Sequence, residues 1–290
     1  MKLWISILLV CFAEFALADE RDRRERERQE RIESIRSELA TIPDHPWAGE
    51  YIRGSSNFTA HLWVAPKSGA VYQFRSCFGF EGNIGTLVDS DSELSISWRW
   101  NDVSYPQGMD VYIPVRWGGE VFLVAQQNLL DFGNDARSDS PYFESKPFRR
   151  KDPNEHESDS KPLGKMVYPK GYEKYRDVES IEAVVIHVSP PTIKIIDEKR
   201  HFEQAFIINA GKEQGVFPKS ELSFLEGNKK TPSGVVKVAD ATTATLIVTT
   251  ILDKDEEDPS IHLGERVVSQ RSLPETNDSK FFVELFKPCV

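Results

Sequence analysis

Short runs in which apolar and polar residues alternate fill most of the chain after residue 46. Trp47-Ala-Gly-Glu-Tyr51, His61-Leu-Trp-Val-Ala65, Ala70-Val-Tyr-Gln-Phe74, Leu94-Ser-Ile-Ser-Trp98, Met109-Asp-Val-Tyr-Ile113 and Glu120-Val-Phe-Leu-Val124 are aromatic and β-branched. A two-residue period sends neighbouring side chains to opposite faces of a strand. Turn-forming groups separate the runs, among them Pro66-Lys-Ser-Gly69, Pro106-Gln-Gly108 and Gly118-Gly119. The pattern predicts an antiparallel meander over 43–148 that curls into a barrel or sandwich. A second series, Ile181–Val188, Thr192–Ile196, Gly234–Val238, Thr245–Ile251 and Arg266–Ser269, predicts a small β-barrel over 178–272. Within it, Phe206–Ile208, then Gly211 and Gly215, then Leu222 and Phe224 predict a hairpin whose two glycines supply positive φ angles.

The remaining segments have other patterns. Residues 19–42 mix Arg and Glu with no glycine, which predicts a charged helical arm; Ile32, Ile35 and Leu39 give only its last two turns an apolar stripe. Such an arm is expected to fray over its first part. Residues 149–177 predict a polar linker and connector, with Arg149 to Gly164 almost free of apolar side chains. The tail, 273–290, ends in Phe281-Phe-Val-Glu-Leu-Phe286, an apolar run that suits a docked extra strand or a partner-binding peptide. The chain therefore reads as mainly β: two small antiparallel β domains, each a barrel or sandwich, preceded by a charged N-terminal helix.

The first 18 residues change the picture of compartment. Lys2, the apolar Leu3 to Ala13 and the small-x-small Ala16-Leu-Ala18 have the form of a signal peptide cleaved after Ala18. That form predicts a secreted or periplasmic product without a transmembrane span. Cys77 and Cys289 then remain, either as one disulfide or as two free thiols. The formal net charge of −10 argues against sequence-independent binding of nucleic acid, which needs clustered Lys and Arg.

Chemistry is sparse. The six histidines are scattered, no Cys-x-x-Cys occurs and no metal site is predicted. No Gly-x-Ser-x-Gly elbow or Walker lysine is present, so no catalytic residue and no cofactor is expected. Asp89, Asp91 and Glu93, and the acidic run Asp253 to Asp258, suit a solvated surface better than a calcium loop. Asn57 and Asn277 match the glycosylation pattern. The aromatic wealth of the first domain leaves two alternatives. Trp47, Tyr51, Trp63, Trp98 and Trp117, with Arg116 to orient an anionic group, line a cavity for a small apolar ligand, or they fill the barrel as its core.

Two resemblances add expectations. His45-Pro-Trp-Ala-Gly-Glu-Tyr51, Cys77-Phe-Gly-Phe80 and Pro114-Val-Arg-Trp-Gly118 together resemble a family of uncharacterised secreted bacterial proteins with a lipocalin-like N-terminal half. Asn209-Ala-Gly-Lys-Glu-Gln-Gly-Val216, with the strands that follow, resembles small barrels of bacterial envelope proteins, such as the terminal domain of the flagellar outer-ring assembly protein. Ser220 stands where such barrels usually carry another glycine. The second resemblance implies a non-enzymatic docking or assembly module that meets an envelope protein partner through 178–272. The first implies, as the alternative, a lipocalin-like carrier of a small apolar ligand.

Overall fold

A computed structural model describes residues 2–55, 58–76, 79–90, 92–101, 110–138, 143, 145, 147–151, 161–176, 180–226, 229–252, 258–259 and 261–269, with the side chains of the first helix from Glu20 onward. Eight strands, β1 (Gly49–Ser55), β2 (Phe58–Ala65), β3 (Gly69–Ser76), β4 (Gly79–Asp89), β5 (Leu94–Trp98), β6 (Val111–Trp117), β7 (Glu120–Ala125) and β8 (Phe148–Arg150), pair in chain order. Pairing of β8 with β1, Tyr51 opposite Arg150, closes them into an up-and-down barrel. β9 (Met166–Val167) extends the free part of the β6 edge. Inside sit Tyr51, Leu62, Tyr72, Leu94, Tyr112, Leu123 and Phe148, all but sealed from solvent.

The strand that closes this barrel begins at the boundary expected between domain and linker. Arg149 and Arg150 look like linker because both are cationic, yet Arg149 pairs outward with Glu120, and Arg150 donates to the His45 carbonyl at 3.0 Å. A polar pair can thus complete a sheet when its charges meet partners at the rim.

Helix α1 (Lys2–Leu39) lies on the outer face of β2, β3 and β4, and this corrects the expected frayed arm. Ile32 and Ile35 pack on Trp63, Val71, Ile84 and Trp100. The arginines do more than solvate the helix: Arg28 is buried, stacks on Phe80 and Trp100 and reaches the Gly82 carbonyl, while Arg24 covers the other part of Trp100. Long cationic stems lay apolar length on aromatic faces and keep the guanidinium hydrogen-bonded. Glu38 accepts the amides of Lys67 and Ser68, and Arg31 donates to the Ser68 carbonyl, so the helix also clamps the turn between β2 and β3.

The second barrel contains β10 (Glu182–Val188), β11 (Thr192–Ile196), β12 (Lys199–Ile208), β13 (Glu221–Glu226), β14 (Lys229–Ala239), β15 (Ala244–Leu252) and β16 (Arg266–Ser269), in the order β10-β16-β13-β14-β15-β12, closed by β12 on β10. Phe206, Phe224, Val236, Leu246, Val248 and Val267 form its core. β12 and β13 are not neighbours, so the expected hairpin at 205–226 is instead a crossing between strands of different neighbours. Beyond Pro190-Pro191 the chain takes a new partner segment: β10 pairs with the last residues of β12, and β11 with Lys199–Glu203, the half of β12 that also pairs with β15.

Helix α2 (Leu129–Arg137) and the segment 166–176 fill the junction between the barrels. Leu129 and Phe132 join Ile113, Val115, Trp117, Phe122, Tyr175 and Phe217 in one cluster, while Leu130 belongs to the core of the second barrel. Among the described residues no helix is long and apolar enough to cross a membrane.

Candidate functional site

The six residues expected to line a ligand cavity do not share one. Trp47 and Tyr51 are in the core of the first barrel, where the Tyr51 hydroxyl donates to the Trp47 carbonyl at 2.5 Å, and Trp98 packs edge-on against Tyr72. Trp63 faces outward beneath α1, and Trp117 faces outward against α2, donating to the Gly164 carbonyl at 3.1 Å. Arg116 is exposed on the strand between Val115 and Trp117. Alternation gives each strand two faces, and here both faces of β2 and β6 are covered, so a tryptophan on either side is buried without lining a cavity.

The interior polar groups are those that alternation alone leaves unremarked. Arg53 stacks on Phe148 with its guanidinium carbon 4.5 Å from the ring centroid, and the rings of Tyr72 and Tyr112 meet Phe148 edge-on. Burial pushes the Tyr51 hydroxyl up to about 12 against the opposing pull of Arg150, and pushes Tyr112 up further. These phenols stay neutral and act as packing groups with a polar end. On the outside, the His61 ring stacks on Trp63, and its Nδ1 lies 3.5 Å from the Glu50 carboxylate. That partner, with Lys151 also nearby, holds Glu50 below the usual carboxylate range against the cost of burial.

The glycine stretch of the second barrel forms part of the junction. Gly215 has φ +92°, and a Cβ there would stand 2.7 Å from the Tyr175 ring; that ring packs on Phe217, and its hydroxyl donates to the Lys212 carbonyl at 3.0 Å. Gly211 does not adopt a positive φ: its backbone is extended, at −139°. It is glycine because a side chain would strike the backbone of the 240–243 turn, with Asp240 O at 2.4 Å from the added Cβ. The Lys212 and Glu213 amides donate to the Asp240 and Ala241 carbonyls at 2.8 Å, which fixes that approach. Ser220 is buried and its hydroxyl accepts the Phe217 amide at 3.3 Å, closing the turn without another glycine.

Four further contacts hold the junction, three through the connector and one directly between the barrels. The Tyr172 hydroxyl donates to Glu93 at 2.5 Å and accepts from Gln126, Lys174 donates to the Glu213 carbonyl, and Lys219 pairs with Asp110. Glu93 is thereby engaged in the junction. Burial, helped by Glu93, pushes the Tyr172 phenol well up, and burial pushes Tyr175 up to about 12.

The surface with the clearest capacity to bind is β11. All of β11 is exposed, and Ile193, Ile195 and Ile196 present 44%, 77% and 48% of their surface to solvent. Asp197 and Glu198 turn the chain with φ of 50° and 65°, and among the described residues β11 pairs on one edge alone, with β12. Exposed isoleucines on an unpaired edge form a template for another strand. The sequence signal was Pro190-Pro191 ahead of an isoleucine-rich run. Among the described residues no three or more His, Cys, Asp or Glu side chains gather as a metal site would require. Cys77, Cys289, Asn57, Asn277, Asp91, the acidic run 253–257 and the tail 273–290 lie outside the described residues.

The fold and its surfaces define a class: an all-antiparallel protein of two closed barrels with an N-terminal helix packed on the first. Comparison with protein-family models, with curated proteins and with solved structures finds no match for the chain.

Proposed function

We propose that this is an exported, non-enzymatic docking protein of the cell envelope that receives an extended segment of a partner on the open edge of β11. The observation that carries the reading is that edge, five exposed residues with three isoleucines on the strand that ends the sheet order among the described residues. Strand addition draws affinity from main-chain hydrogen bonds and selectivity from alternate side chains, and it needs no preformed pocket. Export is supported by the sequence of residues 1–18, with cleavage after Ala18. A small apolar ligand in the first barrel has less support, because Trp63 and Trp117 face away from the interior.

The full chain without residues 1–18 would be used to capture proteins from a solubilised envelope fraction, beside Ile193→Asp and Ile195→Asp variants. A protein held by the parent chain and released by both variants, with their far-UV spectra unchanged, is the expected result. Equal retention by all three chains would remove β11 as the docking edge.

A further inference from the structure

The registers around β11 define what an incoming strand must carry. Thr192, Ile193, Lys194, Ile195 and Ile196 stand opposite Glu203, Phe202, His201, Arg200 and Lys199 of β12. Alternation divides them between two faces. On one face Ile193 and Ile195 continue the buried side of the barrel: Ile193 lies beside buried Phe202, and Ile195 lies beside Arg200, which stands opposite buried Leu252 of β15. On the other face Thr192, Lys194 and Ile196 neighbour Glu203, His201 and Lys199. Lys194 is exposed, carries the only charge of β11 and enters no ion pair among the described residues. Asp197 and Glu198 form the turn just beyond Ile196, whereas Asp258 is held by Arg200. The edge is therefore apolar on one face, cationic at the middle of the other and acidic at its tip.

We infer, on the reading of β11 as a docking edge, that its occupant is an antiparallel segment of another protein with the order cationic, apolar, apolar, acidic, apolar, hydroxylic. Run antiparallel, its last five positions meet Ile196, Ile195, Lys194, Ile193 and Thr192 in turn, and the residue before them meets the tip at Asp197 and Glu198. Apolar side chains opposite Ile195 and Ile193 extend the buried face, and one opposite Ile196 covers an isoleucine that leaves 48% of its surface to solvent. A carboxylate opposite Lys194 gains an opposite-charge pair, and a lysine or arginine at the entry gains another with the tip. The two charges cancel, so a chain of net charge −10 does not repel the segment at long range. A second copy of the chain fits the edge poorly. Self-pairing centred on Lys194 sets the two lysines opposite each other, and centred on Ile195 it sets Ile193 against Asp197. Centred on Ile193, it brings Pro190 and Pro191, which carry no amide hydrogen, opposite Ile196 and Ile195.

Two synthetic peptides of equal composition test the order: Lys-Val-Val-Glu-Val-Thr and its charge exchange, Glu-Val-Val-Lys-Val-Thr, each immobilised on beads through a flexible C-terminal linker. The full chain without residues 1–18 would be titrated over both, beside Lys194→Glu and Ile193→Asp variants. The expected result is a preference of about fivefold for the first peptide, the order set by gaining one charge pair and removing one like-charge contact. Lys194→Glu is expected to reverse that preference, and Ile193→Asp to lose both peptides. Equal retention of the two peptides by the parent chain, with both lost in Ile193→Asp, would overturn the charge order and leave the docking edge standing. Retention unaffected by Ile193→Asp would remove β11 as the site and the order with it. Retention of neither peptide by the parent chain would overturn the order equally, as would its sedimentation as a dimer that Ile193→Asp dissociates, which would give the edge to another copy.

Discussion

Replacement of Gly215 by alanine measures how firmly the two barrels are joined. Two costs arise. The first is local: a left-handed backbone at φ +92° costs an L-residue roughly 1–2 kcal/mol. The second acts across the junction. The new Cβ would lie 2.7 Å from Tyr175 Cε1 and 3.3 Å from Cδ1, so the ring must withdraw by about 1 Å to restore ordinary contact. Withdrawal strains the Tyr175 hydrogen bond to the Lys212 carbonyl, worth about 1 kcal/mol, and its edge contact with Phe217, worth about 0.5–1 kcal/mol. Gly215→Ala is therefore expected to destabilise the chain by roughly 2.5–4 kcal/mol. In a Tyr175→Ala background only the backbone cost of roughly 1–2 kcal/mol remains, because no ring stands in the way. Urea unfolding of the four chains, followed by far-UV circular dichroism, gives the coupling. A value of roughly 1–2 kcal/mol is expected; additivity to within about 0.3 kcal/mol would refute the contact between ring and glycine as a source of junction stability.

Two further measurements bear on the first barrel. Ile35→Ala removes a fully buried side chain between α1 and the sheet and is expected to cost about 2–4 kcal/mol with a red shift in tryptophan emission from Trp63 and Trp100, whereas exposed Glu33→Ala is expected to leave both unchanged; equal behaviour of the two variants would mean that the helix does not dock. Tyrosines of the unfolded chain ionise near pH 10 while Tyr51 holds its proton to about 12, so its contribution is complete below about pH 10 and declines between about 10 and 12, at up to roughly 1.4 kcal/mol per pH unit. Tyr51→Phe should flatten that part of the alkaline stability curve, and an unchanged slope would place the phenol in a less buried setting than the fold gives it.

Most strands of both barrels were legible because period-two alternation and turn chemistry act locally, but β4 (Gly79–Asp89) was not: the glycines at 79, 82 and 85 give Gly79–Gly85 the look of a turn, and only pairing with β3 and β5 makes it a strand. What escaped was decided by tertiary partners. Arg24 and Arg28 resemble solvated helix residues until Trp100 and Phe80 are seen beneath them. Gly211 and Gly215 look alike in sequence; one answers to the close approach of a neighbouring turn and the other to backbone handedness. Trp63 and Trp117 carry the composition of a cavity lining, and only the burial of both faces of their strands reveals them as external core. The separation of β11 from β10 was half legible, since Pro190-Pro191 marks the break while the pairing with half of β12 is a matter of topology.

The pairing of Tyr51 with Arg150 joins residues 99 positions apart. During synthesis β1 acquires β2 at once, yet its other neighbour, β8, arrives only after the six strands β2 to β7 and α2 have emerged. Until then the growing sheet carries an open edge at its oldest strand. Closure is a single late event with a large loop to gather, so its rate sets how long that edge remains exposed to any other chain nearby.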